Sequence, residues 1–154
     1  MPRQSPFGHL EGSVLVSACL LGINCRYDGK AKPCHEILSA KNFTPVPVCP
    51  ERLGGLPTPR PPACFAKGDG REVLAGTGRI VNADGADVTE PFLNGALHVL
   101  ELAQLLNVRW AVLKEGSPSC GTTRVSSREG RIQGVGLTAA LLMQNGIQVL
   151  NEDG

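Results

Sequence analysis

Residues 87–121, DVTEPFLNGALHVLELAQLLNVRWAVLKEGSPSCG, contain a helix pattern, a strand pattern and a cysteine-bearing turn in direct succession. Apolar side chains first recur at steps of three and four, which is the spacing of one face of an α-helix. This apolar stripe consists of Phe92, Ala96, Val99, Ala103 and Leu106. Asp87 or Thr89 can cap the helix, and the helix dipole favours Glu90 in its first turn. The pattern predicts one long helix that packs by its apolar stripe.

The chain after this helix continues the alternation of strands and helices. VRWAVLKE at 108–115 predicts a strand, and GVGLTAALLMQNG at 134–146 predicts a second helix with Gly146 as its stop. IQVLNE at 147–152 predicts a closing strand. Alternation of this kind implies right-handed crossovers between parallel strands. The strands are apolar without alternation, as expected for a parallel sheet that is covered on both faces.

The first half of the chain carries shorter patterns. VLVSA at 14–18 and FTPVPVCP at 43–50 predict short buried strands, and residues 34–41 predict a short helix. A Gly/Pro-rich loop is expected at 51–63 and a small extended excursion at 72–82. The whole pattern predicts a single α/β domain: a mostly parallel sheet flanked by helices in a Rossmann-like three-layer arrangement, with Gly/Pro-rich loops.

The composition excludes several classes of partner. A chain of 154 residues is long enough for one domain, which we place at 13–154 after a short N-terminal extension at 1–12. The net charge of +1 provides no broad basic field for nucleic acid or an anionic membrane. One Trp, one Tyr and four Phe are too few for a base-stacking platform. No signal peptide or membrane-length apolar run is visible, so we expect a cytoplasmic protein with reduced thiols. The sequence does not predict the oligomeric state.

Three of the six cysteines follow predicted strands. Cys19 and Cys49 stand at strand ends, and Cys120 lies a few residues past the WAVL strand. The carboxyl ends of parallel strands meet at one crevice, so we expect the three thiols to converge there. Three thiolates at one point repel each other unless a soft metal centre binds them. Structural zinc takes four ligands, whereas an iron–sulfur cluster held by three cysteines keeps one iron open.

Five blocks of the sequence resemble, in order, the successive blocks of the DUF523 family. The blocks are VSACLLGINCRYDG (16–29), VPVCPERLGGLPTPRPPA (46–63), DVTEPFLNGA (87–96), VLKEGSPSCG (112–121) and GVGLTAALLMQNGI (134–147). The match runs from about residue 13 to residue 152. The resemblance implies a 4Fe–4S enzyme that removes sulfur from thiouracil or a related thiolated pyrimidine without net redox chemistry. Hydrosulfide and a uracil-type product are then released.

The resemblance also implies roles for individual residues. Cys19, Cys49 and Cys120 would hold the cluster, and its fourth iron would take the sulfur of the substrate. Glu51 and Ser117 are the candidates for acid–base catalysis. Two structural alternatives stay open: Glu51 can form an ion pair with a nearby arginine, and the Ser117 hydroxyl can shape its own turn.

The sequence departs from the family pattern at two places. Cys64 follows PRPPA, where family members carry a glutamate, and it could be an accessory ligand or change the substrate preference. Residues 122–133, TTRVSSREGRIQ, form a shortened segment that we expect to border the pocket. Cys25 could be a fourth ligand, but packing is the favoured interpretation for it, as for Cys34 and Cys64.

Two other functions compete with the desulfidase. The first is a cluster-free enzyme that uses Cys120 as a nucleophile, although no His stands near a strand-end motif. The second is a metal- or sulfide-handling carrier without catalysis.

Overall fold

The computed structural model describes residues 5–154, which contain eight β-strands and five α-helices. The strands are β1 (Gly12–Ser17), β2 (Phe43–Val48), β3 (Ala63–Lys67), β4 (Arg79–Asn82), β5 (Trp110–Leu113), β6 (Arg124–Ser127), β7 (Gly130–Gln133) and β8 (Gln148–Asn151). The helices are α1 (His35–Leu38), α2 (Pro50–Leu53), α3 (Gly70–Leu74), α4 (Thr89–Leu105) and α5 (Leu137–Gln144). A 3-10 helix spans Ala18–Leu21.

Four strands form a parallel sheet in the order β2-β1-β5-β8. The chain runs from β1 to β2 on one side and later returns to β5 on the other side of β1. The strand order therefore reverses at β1, which is where open α/β sheets form a ligand crevice beyond their carboxyl ends. Pro45 and Pro47 are tolerated in β2 because it is an edge strand, where missing N–H donors cost least.

Helix α4 lies between this parallel sheet and a second sheet. Val99 and Ala103 pack with Leu15 and Leu113 of the parallel sheet. Phe92 and Ala96 of the same helix pack with the second sheet. Four members of the predicted apolar stripe are thus buried. The fifth was predicted wrongly: Leu106 lies past the end of the helix and is 41% exposed.

The N-terminus of α4 is fixed by hydrogen bonds to its own turn and to β4. The Asp87 carboxylate accepts the backbone N–H of Thr89 at 2.9 Å. The cap position itself is Val88 and has no side-chain capping bond, so the predicted cap at Asp87 or Thr89 was wrong. The buried Thr89 hydroxyl accepts the N–H of Ile80 at 2.9 Å. These bonds tie the helix that crosses the core to the edge of the second sheet.

The second sheet is mixed, has the order β4-β3-β6-β7, and was not predicted. Residues 72–82 hold the end of α3 and strand β4 rather than a simple extended excursion. Residues 122–133, the shortened segment for which no strands were predicted, contain the antiparallel hairpin of β6 and β7. Its four-residue strands carry mostly polar side chains, so they lack the apolar signal that marks a buried strand.

The other face of the parallel sheet is covered by the N-terminal segment and α1. Phe7, Leu10 and Ile37 are buried there against Val14 and Val16. The described part of the predicted 1–12 extension therefore belongs to the core, and residues 1–4 lie outside the described residues. The predicted α/β class, with a mostly parallel sheet flanked by helices, is confirmed. None of the helices within residues 5–154 is long and apolar enough to cross a membrane.

Candidate active site

A cavity of about 240 Å³ opens at the carboxyl ends of β1, β2 and β5. Its floor comes from the parallel sheet, and the hairpin of β6 and β7 contributes Ser126 and Arg131 to its wall. The segment 122–133 therefore borders the pocket, as predicted. Arg26 and Tyr27 line the cavity from the loop after the 3-10 helix.

The three cysteines predicted to converge all line this cavity. Cys19 lies in the 3-10 helix directly after β1, and Cys49 is the residue between β2 and α2. Cys120 lies on the turn that follows β5. Because β2, β1 and β5 are neighbours in the sheet, residues that follow them emerge side by side. This topology brings together thiols that are up to 101 positions apart in sequence.

A fourth thiol, that of Cys25, also lines the cavity, and we refer to Cys19, Cys25, Cys49 and Cys120 as the thiol set. The packing interpretation of Cys25 did not anticipate this position. The other two cysteines lie outside the cavity. The Cys34 thiol donates to the backbone oxygen of Glu152 at 3.9 Å, and Cys64 is half-buried on β3. The structure therefore gives no support to Cys64 as an accessory ligand.

The thiols of this set influence one another's ionisation. Interaction with the Cys25 thiol lowers the pKa of Cys19, whereas interaction with Cys25 and burial raise the pKa of Cys49. Burial raises the pKa of Cys120 to about 12, although Ser17 and Ser119 donate hydrogen bonds to its sulfur at 3.5 and 3.6 Å. A thiol with so high a pKa is a poor nucleophile without a metal, which argues against the cluster-free enzyme. Among the described residues that line the cavity, there is no histidine to act as its base.

Glu51 presents its carboxylate to the cavity from the first turn of α2. Its Oε1 accepts a hydrogen bond from Nε of Arg60 at 3.2 Å, and its Oε2 accepts one from the Ser119 hydroxyl at 3.1 Å. Arg60 is only 9% exposed and also donates to Pro57 and Thr58. Glu51 therefore does form an ion pair with a nearby arginine, as the structural alternative stated. This ion pair keeps the carboxylate oriented within the cavity.

Ser119, which the sequence did not single out, connects Glu51 to the cysteine turn. Its hydroxyl contacts Oε2 of Glu51, the Ser117 hydroxyl at 3.2 Å and the Cys120 sulfur. The predicted residue, Ser117, accepts the backbone N–H of Cys120 at 2.8 Å, so it does shape its own turn. We refer to Glu51, Arg60, Ser117 and Ser119 as the carboxylate network. The only sequence signal for Ser119 was its place beside Cys120 in SPSC.

Helix α2 is held close to α4 by two glycines. A Cβ on Gly54 would overlap the backbone oxygen of Pro91, and a Cβ on Gly95 would overlap that of Pro50. This backbone contact lies next to both Cys49 and Glu51. It therefore fixes the position from which one thiol and the carboxylate enter the cavity.

Glu115 braces the loop between the cysteine turn and the hairpin. Its carboxylate accepts the backbone N–H groups of Thr122, Thr123 and Arg124 at 2.9 to 3.1 Å, together with an N–H of the Asn151 amide. Burial opposes ionisation of this group, but the hydrogen bonds outweigh burial and lower its pKa to about 2. Glu115 therefore acts as a fixed anion that organises the cavity wall.

Lys114 does not pair with the neighbouring Glu115 side chain. Its Nζ lies 2.7 Å from Oε2 of Glu152, just past β8, and 3.1 Å from the backbone oxygen of Glu115. Oε1 of Glu152 accepts the backbone N–H of Glu115 at 2.7 Å. The end of β8 is thereby tied to the strand end that carries the cysteine turn.

The thiols that line the cavity fit an iron–sulfur cluster. Within residues 5–154, no group of three or more His, Cys, Asp or Glu residues is arranged to hold one metal ion. Thiolates are the ligands that iron–sulfur clusters take, and the thiol set places four cysteines around one cavity. Nε of Arg26 is buried beside this cavity, 4.0 Å from Oδ1 of Asp28 and without a hydrogen-bond partner, so it can donate to a bound group.

Comparison with known proteins agrees with this architecture. The chain is 43% identical to the uncharacterized protein YbbK of Bacillus subtilis (strain 168) over 146 residues, which cover 91% of this chain and 95% of that protein. It is 42% identical to a solved structure, the 4Fe–4S-dependent thiouracil desulfidase TudS (DUF523Vcz), with a TM-score of 0.80 over 93% of this chain and 92% of that one. The model of the 2-thiouracil desulfurase family matches residues 14–154. The predicted resemblance is thus confirmed, and the chain belongs to the 2-thiouracil desulfurase family.

Proposed function

We propose that this chain is a 4Fe–4S-dependent desulfidase that converts thiouracil, or a related thiolated pyrimidine, into a uracil-type product and hydrosulfide. Cys19, Cys49 and Cys120 are the proposed cluster ligands. The observation that carries the proposal is that these three strand-end thiols line one cavity together with the oriented carboxylate of Glu51. The family model and the 4Fe–4S dependence named for the solved relative support it.

A bound cluster with one iron free of protein ligands supplies a Lewis acid that polarises the thiocarbonyl group. The chain's own residues provide the acid–base chemistry. Glu51 takes a proton from a water molecule as the water oxygen bonds to the ring carbon. Arg60 and Ser119 hold the two carboxylate oxygens, so that Glu51 needs little reorientation before it acts.

Ser119 provides a path for the proton towards the departing sulfur. Its hydroxyl lies within hydrogen-bond distance of both Glu51 and Ser117, and it also contacts the Cys120 sulfur. The C=S bond is replaced by a C=O bond, and the two hydrogens of the water leave with hydrosulfide and its counter-proton. No electron is gained or lost by the pyrimidine, which agrees with non-redox chemistry.

The proposed catalytic domain is residues 13–154, and Phe7 and Leu10 complete its core from the N-terminal extension. We expect it to act in the cytoplasm, because all six cysteines are free thiols and a reducing compartment preserves them.

The test is anaerobic reconstitution, followed by measurement of iron and acid-labile sulfide per chain and of uracil released from 2-thiouracil and 4-thiouracil. We expect iron and sulfide in the ratio of a 4Fe–4S cluster, and repeated turnover that requires it. Cluster uptake without uracil release would indicate a carrier. Turnover by the iron-free protein would indicate a cysteine nucleophile, and either outcome contradicts the proposal.

A further inference from the structure

The described residues that line the cavity include four cationic side chains, those of Arg26, Arg60, Lys114 and Arg131. Arg60 and Lys114 are each paired with a carboxylate, and Arg131 is exposed on the hairpin. Nε of Arg26, by contrast, is buried and has no hydrogen-bond partner. A buried donor is normally satisfied, so this one calls for an acceptor that enters the cavity.

Asp28 does not satisfy the Arg26 donor. Its Oδ1 lies 4.0 Å from Nε, beyond hydrogen-bond distance, and already accepts the backbone N–H of Lys30 at 3.0 Å. The backbone N–H of Arg26 donates to the oxygen of Lys30 at 3.2 Å, and the oxygen of Tyr27 accepts the backbone N–H of Arg60 at 2.8 Å. The backbone that carries the donor is thus fixed before a ligand binds, which lowers the cost of binding.

The aromatic ring of Tyr27 lies beside this donor. Tyr27 is 40% exposed, and no other aromatic residue is among the described residues that line the cavity. The guanidinium carbon of Arg26 lies 5.9 Å from the centre of the Tyr27 ring. An aromatic face beside an N–H donor suits a flat heterocycle that stacks on the ring and presents an acceptor at its edge.

Resting on the proposed function, we propose that Arg26 is a specificity residue whose Nε–H donates a hydrogen bond to the carbonyl oxygen that stays on the thiolated pyrimidine. The carbonyl and thiocarbonyl carbons are separated by one ring nitrogen in both 2-thiouracil and 4-thiouracil. One donor can therefore orient either isomer with its sulfur towards the thiol set. A substrate without this oxygen leaves the buried donor unpaired and is selected against.

Two substrates and two variants test this role in the reconstituted protein. Pyrimidine-4-thione has the thiocarbonyl group of 4-thiouracil but lacks its oxygen at position 2. We expect the wild type to convert it with a kcat/KM about 10- to 100-fold lower than that for 4-thiouracil. Arg26→Met removes the donor and should lose this factor for 4-thiouracil while changing little for pyrimidine-4-thione. Arg26→Lys should recover part of the preference.

Binding of the product gives a readout that does not depend on turnover. Uracil keeps the oxygen at position 2, so its affinity, measured by calorimetry, should weaken by about 10-fold or more in Arg26→Met. Iron and sulfide per chain and the EPR signal of the reduced cluster should stay at their wild-type values. The matched control is Arg109→Met, which removes an exposed guanidinium outside the cavity and should keep the wild-type preference.

Three results would overturn the inference while leaving the proposed function intact. The first is an equal loss of activity on both substrates in Arg26→Met, because the donor would then not recognise the oxygen. The second is loss of iron or an altered EPR signal in that variant, because Arg26 would then serve the cofactor. The third, which needs no variant to fold, is a wild type that converts both substrates equally well. A wild type that takes up no iron and sulfide, or releases no uracil from 4-thiouracil, would overturn the proposed function and this inference together.

Discussion

The thiol set and the carboxylate network line the same cavity but are held in place in different ways. The thiol set emerges from three strand ends and one loop. Its sulfurs make a few weak hydrogen bonds, from Ser17 and Ser119 to Cys120 and from Cys49 to the backbone oxygen of Cys25. The carboxylate network is internally bonded, because both oxygens of Glu51 have partners. The proposed ligands therefore remain available, whereas the proposed acid–base group, Glu51, is already oriented. Holding a cofactor and moving a proton should be separable by mutation.

The largest effect is expected from Cys120→Ser on the thiol side. A hydroxyl is a hard ligand that replaces a soft thiolate poorly at iron–sulfur sites. The variant should lose most bound iron and sulfide and all measurable desulfidation. Iron and sulfide assays after anaerobic reconstitution measure this loss. Cys34→Ser, a change outside the cavity, is the control and should bind iron like the wild type; full iron in Cys120→Ser would refute the ligand assignment.

Glu51→Gln should separate proton transfer from cofactor binding most clearly. The amide cannot accept the proton of a water, so kcat should fall by about 10²- to 10⁴-fold. Iron and sulfide content should stay at the wild-type level, because Glu51 is not a proposed ligand. Steady-state kinetics with 4-thiouracil give the rate, and the exposed Glu90→Gln is the matched control. Activity close to the wild type would show that the carboxylate serves only its ion pair with Arg60.

Ser119→Ala and Ser117→Ala distinguish the residue that the structure connects to Glu51 from the residue that the sequence predicted. Loss of the Ser119 hydrogen bond to a carboxylate should lower kcat by about 10- to 100-fold. It should also cost about 1–3 kcal/mol of unfolding free energy, because Ser119 is buried and its partner is charged. Ser117→Ala leaves the buried N–H of Cys120 unpaired and should cost about 1 kcal/mol of unfolding free energy. The measurements are kcat and thermal melting of each variant. A larger fall in kcat for Ser117→Ala, without destabilisation, would restore Ser117 as the acid–base residue.

The smallest effect is expected at Glu115, which holds the loop between the cysteine turn and the hairpin. The pKa of Glu115 is lowered from 4.5 to about 2, so its stabilising contribution is complete above pH 4.5 and is lost as the pH falls towards 2. Glu115→Gln should be about 1–2 kcal/mol less stable at pH 7, and the difference should shrink between pH 5 and pH 3. Melting curves of both proteins across this range measure the trend. A constant difference at every pH would show that the charge of Glu115 is irrelevant.

The parallel sheet and the convergence of its thiols were predictable because both follow from local patterns. Apolar runs mark the strands, and parallel topology places their carboxyl ends at one edge. The mixed sheet was missed because its hairpin is short and polar, and its strands pair over long sequence distances. In particular, β3 pairs with β6 through Phe65 and Ser127.

The carboxylate network was only partly predictable for a different reason. Glu51 stands two residues after a strand-end cysteine, so proximity in sequence identifies it. Ser119 reaches Glu51 across 68 positions, and the burial of Arg60 depends on how the 51–63 segment folds over the cavity. No periodicity or local motif encodes these contacts. They exist only once α2 and the cysteine turn have packed together.

The contact between Gly54 and Gly95 has a consequence for anyone who wishes to engineer a more heat-resistant version of this enzyme. Replacing a glycine in the middle of a helix with alanine is a standard stabilising change, worth about 1 kcal/mol from helix propensity alone. At Gly95 the sign should reverse, because the added methyl group would collide with the backbone at Pro50. A design that places good helix formers at these positions would push α2 away from the core. Cys49 and Glu51 would then lose their positions in the cavity. A design protocol for this chain should therefore leave both glycines untouched.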